Sequence, residues 1–384
     1  MSFTSVTYFL FVGISLLIYT IVPKRAKWCV LLGASAVYYV MAAGLRTLWL
    51  VAAILIVYGG GLLLGHLNDQ GKARRKAAAD KEEKKQIRKK YDAKKRAVVT
   101  VAVLGVFGLL IALKYVNFLG ESAYGIAGLF GSKSAYQPVQ ILLPLGISYY
   151  TLCAVSYVVD VYRGKYKPER NFFKLALFLS FFPQMTEGPI GKYEIMMPRL
   201  VGHSFDFERD AQAVMRIFWG MFKKMVIADR ANLFVTGVFD NGDQAGSMVL
   251  LGTLLYTVQI YCEFSGCMDI VRGSAQMFGI QMSENFARPF MSKTVSEFWR
   301  RWHMTLGAWF KDYVFYSISL SKAFMKLSKK TREKFNAFFA TLIPTSIAML
   351  AVWFGTGIWH GASWKYVMYG IYYCLIMILG LLTE

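Results

Sequence analysis

Long apolar runs separated by short basic connections recur along the whole chain. Stretches 3–22, 28–43, 47–65, 97–119, 139–159, 248–264, 335–359 and 366–382 are continuous rather than alternating. Each approaches the roughly 17–25 residues with which a helix crosses a bilayer. Inside lipid the backbone must satisfy its own hydrogen bonds, which leaves helices or closed barrels. Runs without a period of two select helices. The pattern predicts an all-α polytopic membrane protein, one membrane domain over 1–384 with no soluble domain. The first run has no basic region ahead of it and is long enough to span, so it reads as a retained span rather than a cleaved signal peptide.

Three segments depart from simple spans. Segment 67–96 reads as a charged cytoplasmic helix or loop between spans, rich in Ala, Lys, Glu and Arg. Segment 172–200 begins apolar but is broken by Pro183, Gly188 and Pro189. Segment 286–316 mixes aromatics with Arg288, Lys293, Glu297, Arg300, Arg301, Lys311 and Asp312. Irregular or charged backbone at membrane depth is tolerated only where it is buried in protein or lines a wet cavity. Segments 172–200 and 286–316 therefore read as re-entrant or interfacial around such a cavity. A surface-lying amphipathic helix is the alternative for 294–312. Pro138 and Pro144 open the span that ends at Asp160. The chain stops at Glu384 directly after an apolar run, which is compatible with a natural protein that continues.

Composition sharpens this picture. Of 384 residues, 56% are hydrophobic and 17% charged, against about 25% charged in soluble domains. A secreted enzyme, a collagen and a disordered tail are excluded. The net charge of +21 would raise nucleic acid in a soluble protein. Here the positive-inside rule accounts for it, and no nucleic-acid partner is expected. Segment 72–96 holds thirteen Lys or Arg against four acids. With the N-terminus outside, it falls in the cytoplasm together with Lys24–Lys27 and Arg163–Arg170, while 44–47 and 120–137 fall outside. Contact with anionic lipid headgroups follows from such a face. No CxxC pair occurs among the five cysteines, so neither a zinc site nor a disulfide framework is indicated.

The candidate chemistry is sparse. His66 reads as interfacial and His203 as part of a polar connection. His360 stands in Gly357–Ile358–Trp359–His360–Gly361 at the end of an apolar run. Ionisable groups at membrane depth are costly and mark function by default. A neutral imidazole accepts a proton without first losing one. His360 is either a general base or the capped end of a helix at the interface. His303 lies in Glu297–Phe298–Trp299–Arg300–Arg301–Trp302–His303. If this string is helical, Arg300 and His303 share a face, as do Trp299 and Trp302. That face suits an anionic or thioester-bearing group, or else it is an aromatic belt with cationic anchors. Asp160, Glu263 and Asp269 read as counter-ions to Arg163, Arg272, Arg300 or Arg301. No phosphate-binding glycine loop, HExxH, GxSxG or dense acidic cluster for a divalent metal is present.

Several strings resemble the membrane-bound O-acyltransferase family, in the branch of alginate O-acetylation and teichoic acid D-alanylation proteins. They are PLGISYYTLCAVSYVVDVYRG (144–164), FFPQMTEGPIGKYEIMMPRL (181–200), QIYCEFSGCMDIVRGSAQMFGI (259–280), ENFARPFMSKTVSEFWRRWHMTLGAWFKDYVFY (284–316) and GIWHGASWKYVMYG (357–370). The chain departs from that pattern at Glu263, at Cys267 and at Ser317–Ser321. The resemblance implies a ring of tilted helices around a funnel reaching His360. It implies His360 as catalytic histidine and His303 at the second polar position. Apart from the resemblance, Arg300, Arg301 and Trp302 read as lining the path of the donor, and Glu263 and Asp269 are further candidates toward substrate. It also implies a cytoplasmic thioester donor, acetyl-coenzyme A or an acyl carrier protein, with no metal. The acceptor would be a hydroxyl of an extracellular polysaccharide or cell-wall polymer, served by an extracytoplasmic acetylase of the serine-hydrolase type. Acetyl transfer to an exopolysaccharide such as alginate is the leading reading. D-alanyl transfer to teichoic acid, and a non-catalytic transporter or scaffold, are the alternatives.

Overall fold

The computed structural model describes residues 2–131, 134–200, 206–242 and 244–383. His203 lies outside them. The helices in chain order are α1 (Val6–Ile21), α2 (Lys27–Ala43), α3 (Thr47–Ala77), α4 (Lys81–Leu110), α5 (Val116–Leu129), α6 (Ile147–Arg163), α7 (Phe172–Ser180), α8 (Tyr193–Leu200), α9 (Phe207–Met221), α10 (Asp229–Phe239), α11 (Gly246–Met277), α12 (Val295–Arg301), α13 (Met304–Phe310), α14 (Tyr316–Ser319), α15 (Lys322–Lys334), α16 (Ala337–His360) and α17 (Trp364–Thr383). No strand occurs among the described residues. Among the described residues, five helical stretches are long and apolar enough to cross a membrane: Lys24–Ala77, Lys81–Leu129, Gly246–Met277, Phe338–His360 and Trp364–Leu382. The chain is an all-α, multi-pass membrane protein.

The expected apolar runs fall on α1–α4, α6, α11, α16 and α17, of which α1 and α6 lie outside these five stretches. The run 139–159 becomes helical only at Ile147. Pro144 lacks a donor, and Gly146 turns the chain at φ +68°, where a side chain would strike the Met185 carbonyl. The charged segment 67–96 is not a separate element. It is the end of α3 and the start of α4, parted at 78–80. Asp80 caps α4 by accepting from the Glu83 N–H at 2.6 Å, and Glu83 accepts from the Ala79 N–H at 2.9 Å. This is a reciprocal cap that satisfies donors at a helix start.

The chain forms two compact units. The first comprises Met1–Tyr58, Pro144–Cys153 and Glu169–Asn285. There the broken segment after α7 is almost wholly buried, which supplies protein partners for its irregular backbone. Gly220 of α9 faces Gly266 of α11, and Gly273 faces the Ala213 carbonyl, so the two helices touch backbone to backbone. Small residues permit such approach where water cannot drive packing. Asp269 on α11 takes Arg216 at 2.8 Å and Lys223 at 2.6 Å. Glu263 takes Lys224 at 2.9 Å, and Arg272 pairs with Glu284. The arginines expected to serve Glu263 and Asp269 are thus replaced by Arg216 of α9 and by Lys223 and Lys224 of the π-turn Phe222–Ala228 that follows it. These partners are remote in sequence and became adjacent only by helix packing.

The second unit comprises Gly59–Leu143, Ala154–Pro168 and Phe286–Glu384. Asp160 is 1% exposed. It pairs with Lys165 at 2.9 Å and accepts the Tyr313 hydroxyl at 2.7 Å, rather than meeting Arg163. Arg163 instead donates to the Asp312 carbonyl and the Ser317 hydroxyl. A buried carboxylate needs such partners, since an unpaired one would be strongly destabilising.

Candidate functional site

Two helix ends in the second unit bring His303 and His360 to one cavity. The first is set by α12. The Thr294 hydroxyl accepts from the Glu297 N–H at 3.1 Å, and the Glu297 carboxylate accepts from the Lys293 N–H at 2.7 Å. A Thr at the cap with Glu three residues on is a signal for this start. The Lys293 N–H, and then the charges of Arg301 and Arg300, hold the Glu297 carboxyl below its usual range. Arg301 closes on Glu297 at 2.5 Å, one turn away. The helix then stops. Trp302 is extended and His303 adopts the left-handed conformation, φ 46° and ψ 50°. The His303 carbonyl accepts from Leu306 and Gly307, starting α13.

This break corrects the helical reading of the string. Arg300 and His303 do not share a helix face. Arg300 is exposed, whereas His303 is 4% exposed. A non-glycine residue in the left-handed region costs about 1–2 kcal/mol, and such strain clusters at functional sites. His303→Gly is therefore expected to lower activity while keeping thermal stability above that of His303→Ala, by about 1 kcal/mol. Detergent-phase melting of the two variants checks it. Equal melting would remove strain from the account.

The second helix end is that of α16. Asn336 caps its start, accepting from the Phe339 N–H, and His360 is its last residue, followed by extended Gly361. The glycines beside His360 serve the chain's own packing. Gly357 lies against the α17 backbone at Tyr366 and Gly370, and Gly361 lies under the Tyr366 ring. The α16 end is thereby held against α17.

His303, His360, Trp299, Trp302, Trp353 and Phe310 are among the residues lining a cavity of about 460 Å³, the open space at its mouth included. The two imidazole centroids stand 6.5 Å apart with rings inclined by 64°. Of the two, His360 is the more exposed, and His303 is buried. Trp302 is fixed by Phe298, stacked at 5.5 Å, and by Phe286 edge-on at 5.1 Å. Trp299 meets Trp353 at 4.8 Å and Tyr373 at 4.7 Å. These aromatics make walls of low polarity, where charges and dipoles act more strongly than in water. Such a site can take a proton from a hydroxyl and hold a polar reacting atom between two imidazoles.

Of the residues expected to contact substrate, Trp302 lines the cavity, Arg301 is tied to Glu297 and Arg300 faces outward. Glu263 and Asp269 belong to the first unit, each in an ion pair. His66 is exposed, and its ring bonds Gln70 at 2.9 Å. Two further residues at the α16 end were not foreseen. Lys114 donates to the Trp359 carbonyl at 2.7 Å, and Tyr115 donates to the Ile358 carbonyl at 2.6 Å. A signal existed, since Lys114 is the sole charge in the run 97–119.

The sequence profile described as MBOAT, membrane-bound O-acyltransferase family, matches residues 169–383, which include both histidines. A probable alginate O-acetylase of Azotobacter vinelandii is 31% identical over 96% of this chain and 66% of its own length. A peptidoglycan O-acetyltransferase of Helicobacter pylori is 28% identical over 73% of this chain and 54% of its own. A teichoic acid D-alanyltransferase of Bacillus subtilis is 29% identical over 63% of this chain and 60% of its own. The chain thus spans between about half and two thirds of these relatives. With a matched profile covering the histidine cavity and relatives that share its acyl-transfer naming, the chain belongs to the membrane-bound O-acyltransferase family.

Proposed function

We propose that the protein is an O-acyltransferase that moves an acetyl group from a thioester donor toward hydroxyls of an extracellular polysaccharide, alginate or a polymer like it. The observation that carries this reading is the pair of imidazoles, His303 and His360, lining one aromatic cavity. His360 removes the proton of the incoming hydroxyl. The hydroxyl oxygen attacks the thioester carbonyl carbon, the C–S bond breaks, and the thiolate leaves with the proton returned by the imidazolium. His303 donates to the oxygen on which charge develops, and the aromatic walls keep water away. The ester is the product, and no metal enters the step.

The donor arrives from the cytoplasm, as acetyl-coenzyme A or on an acyl carrier protein. The basic connection 72–96 lies on that side and the N-terminus lies outside, by the positive-inside rule. An extracytoplasmic acetylase of the serine-hydrolase type completes delivery to the polymer. Names given to the relatives, alginate O-acetylase among them, favour acetyl and polysaccharide.

Mass spectrometry of surface polymer from cells with and without the gene tests this. Acetyl esters that vanish with the gene are the expected result. Amine-bearing esters lost instead would establish D-alanyl transfer, the activity in the Bacillus relative's name. Unchanged esters in cells carrying a protein without both imidazoles would leave only a transporter or scaffold.

A further inference from the structure

We infer that Lys114 is a positioning residue for His360, clamping the end of α16 from a π-helical turn. The inference rests on the reading of His360 as the base. The last four carbonyls of a helix have no partner within it. At α16 these include Ile358 and Trp359, immediately before His360. Trp359 receives the Lys114 ammonium at 2.7 Å, and Ile358 receives the Tyr115 hydroxyl at 2.6 Å together with the Gly361 N–H at 3.2 Å. Both donors come from Ile111–Tyr115, a π-turn set between α4 and α5. The wider turn carries an extra residue, a device common at functional sites. It lets two adjacent side chains serve two adjacent carbonyls.

The choice of lysine is informative. A helix end can be closed by glycine, a hydroxyl or water at no electrostatic cost. An amine inside an apolar run is expensive and is a functional signal by default. The ammonium also faces the negative end of the helix dipole, which favours a cation there. Lys114 is half-buried, and Tyr115 is 5% exposed beneath it. Fixing the peptides on the N-terminal side of His360 fixes where its imidazole stands relative to His303. Displacing a catalytic group by about 1 Å costs on the order of 100-fold in rate.

The test uses the intact protein in membranes, with the acetyl thioester that the wild type accepts, coenzyme A or carrier-borne. Lys114→Met is expected to lower kcat by about 10- to 100-fold with KM unchanged. Amides of 357–361 should exchange with deuterium roughly tenfold faster. Lys114→Arg, which keeps charge and donors, should recover most of kcat. Wild-type kcat in Lys114→Met, a loss confined to KM, or unchanged exchange would overturn the clamp. Should Lys114→Met fail to insert, Tyr115→Phe reads the same device. A several-fold kcat loss at constant KM supports it, and no loss overturns it. The exchange readout needs no activity. An active His360→Ala protein would therefore remove the base assignment and leave the clamp to stand or fall separately.

Discussion

Replacing His360 by alanine is expected to reduce acyl transfer by about 10²–10⁴-fold, the range that a positioned general base contributes, while the protein still inserts and folds. Insertion should survive because His360 is the last residue of α16 and is exposed, so truncating it opens no void in packed protein. The walls that shape the cavity, Trp299 against Trp353 and Tyr373 and Trp302 against Phe298, do not depend on its side chain. His360→Gln should fare little better, since an amide matches the size but accepts no proton. Rates from membranes normalised to inserted protein check both variants. Acyl transfer at wild-type rate in His360→Ala would end the assignment, whatever the state of His303.

Gly370→Val carries the largest expected cost to folding. A Cβ at Gly370 falls on the Trp353 carbonyl oxygen, with Gly357 of the facing helix as the next neighbour. The obstacle is backbone, so no rotamer change relieves it. Overpacking usually costs roughly 1–3 kcal/mol, and contact with rigid backbone puts this case at or above the upper end. The α16–α17 crossing must open, and the crossing is what holds the end that presents His360. Reduced yield of folded protein, a lower melting temperature in detergent and loss of activity are expected together. Gly380→Val is the control, because a Cβ there meets no atom within 4 Å. Equal stability of the two variants would refute the close crossing.

Sequence and structure divide the account of the site between them. The string Gly357–Gly361 placed His360 at a helix end, and the Thr294–Glu297 spacing carried the signal for the start of α12. The turn that separates Arg300 from His303 was illegible, because Trp302 and His303 hold no glycine or proline to announce it. Lys114 was legible as an isolated charge in an apolar run. Its target, a carbonyl 245 positions away, was not. The pairings of Asp269 with Arg216 and Lys223 escaped for the same reason.

By itself, the sequence determined the solvent and the element type. Apolar runs of spanning length must be helices in lipid, and the basic connections between them carry a directional charge bias. It also determined which few residues could do proton chemistry, since so few ionisable groups stand at the ends of such runs. Tertiary structure alone decided that His303 and His360 share a cavity, which acids neutralise which cations, and what closes the end of α16. Apart from near neighbours such as Asp160 and Lys165, these are contacts between positions tens to hundreds of residues apart. Periodicity along a chain reports which face of a helix is apolar, whereas the neighbour that covers that face is chosen by packing.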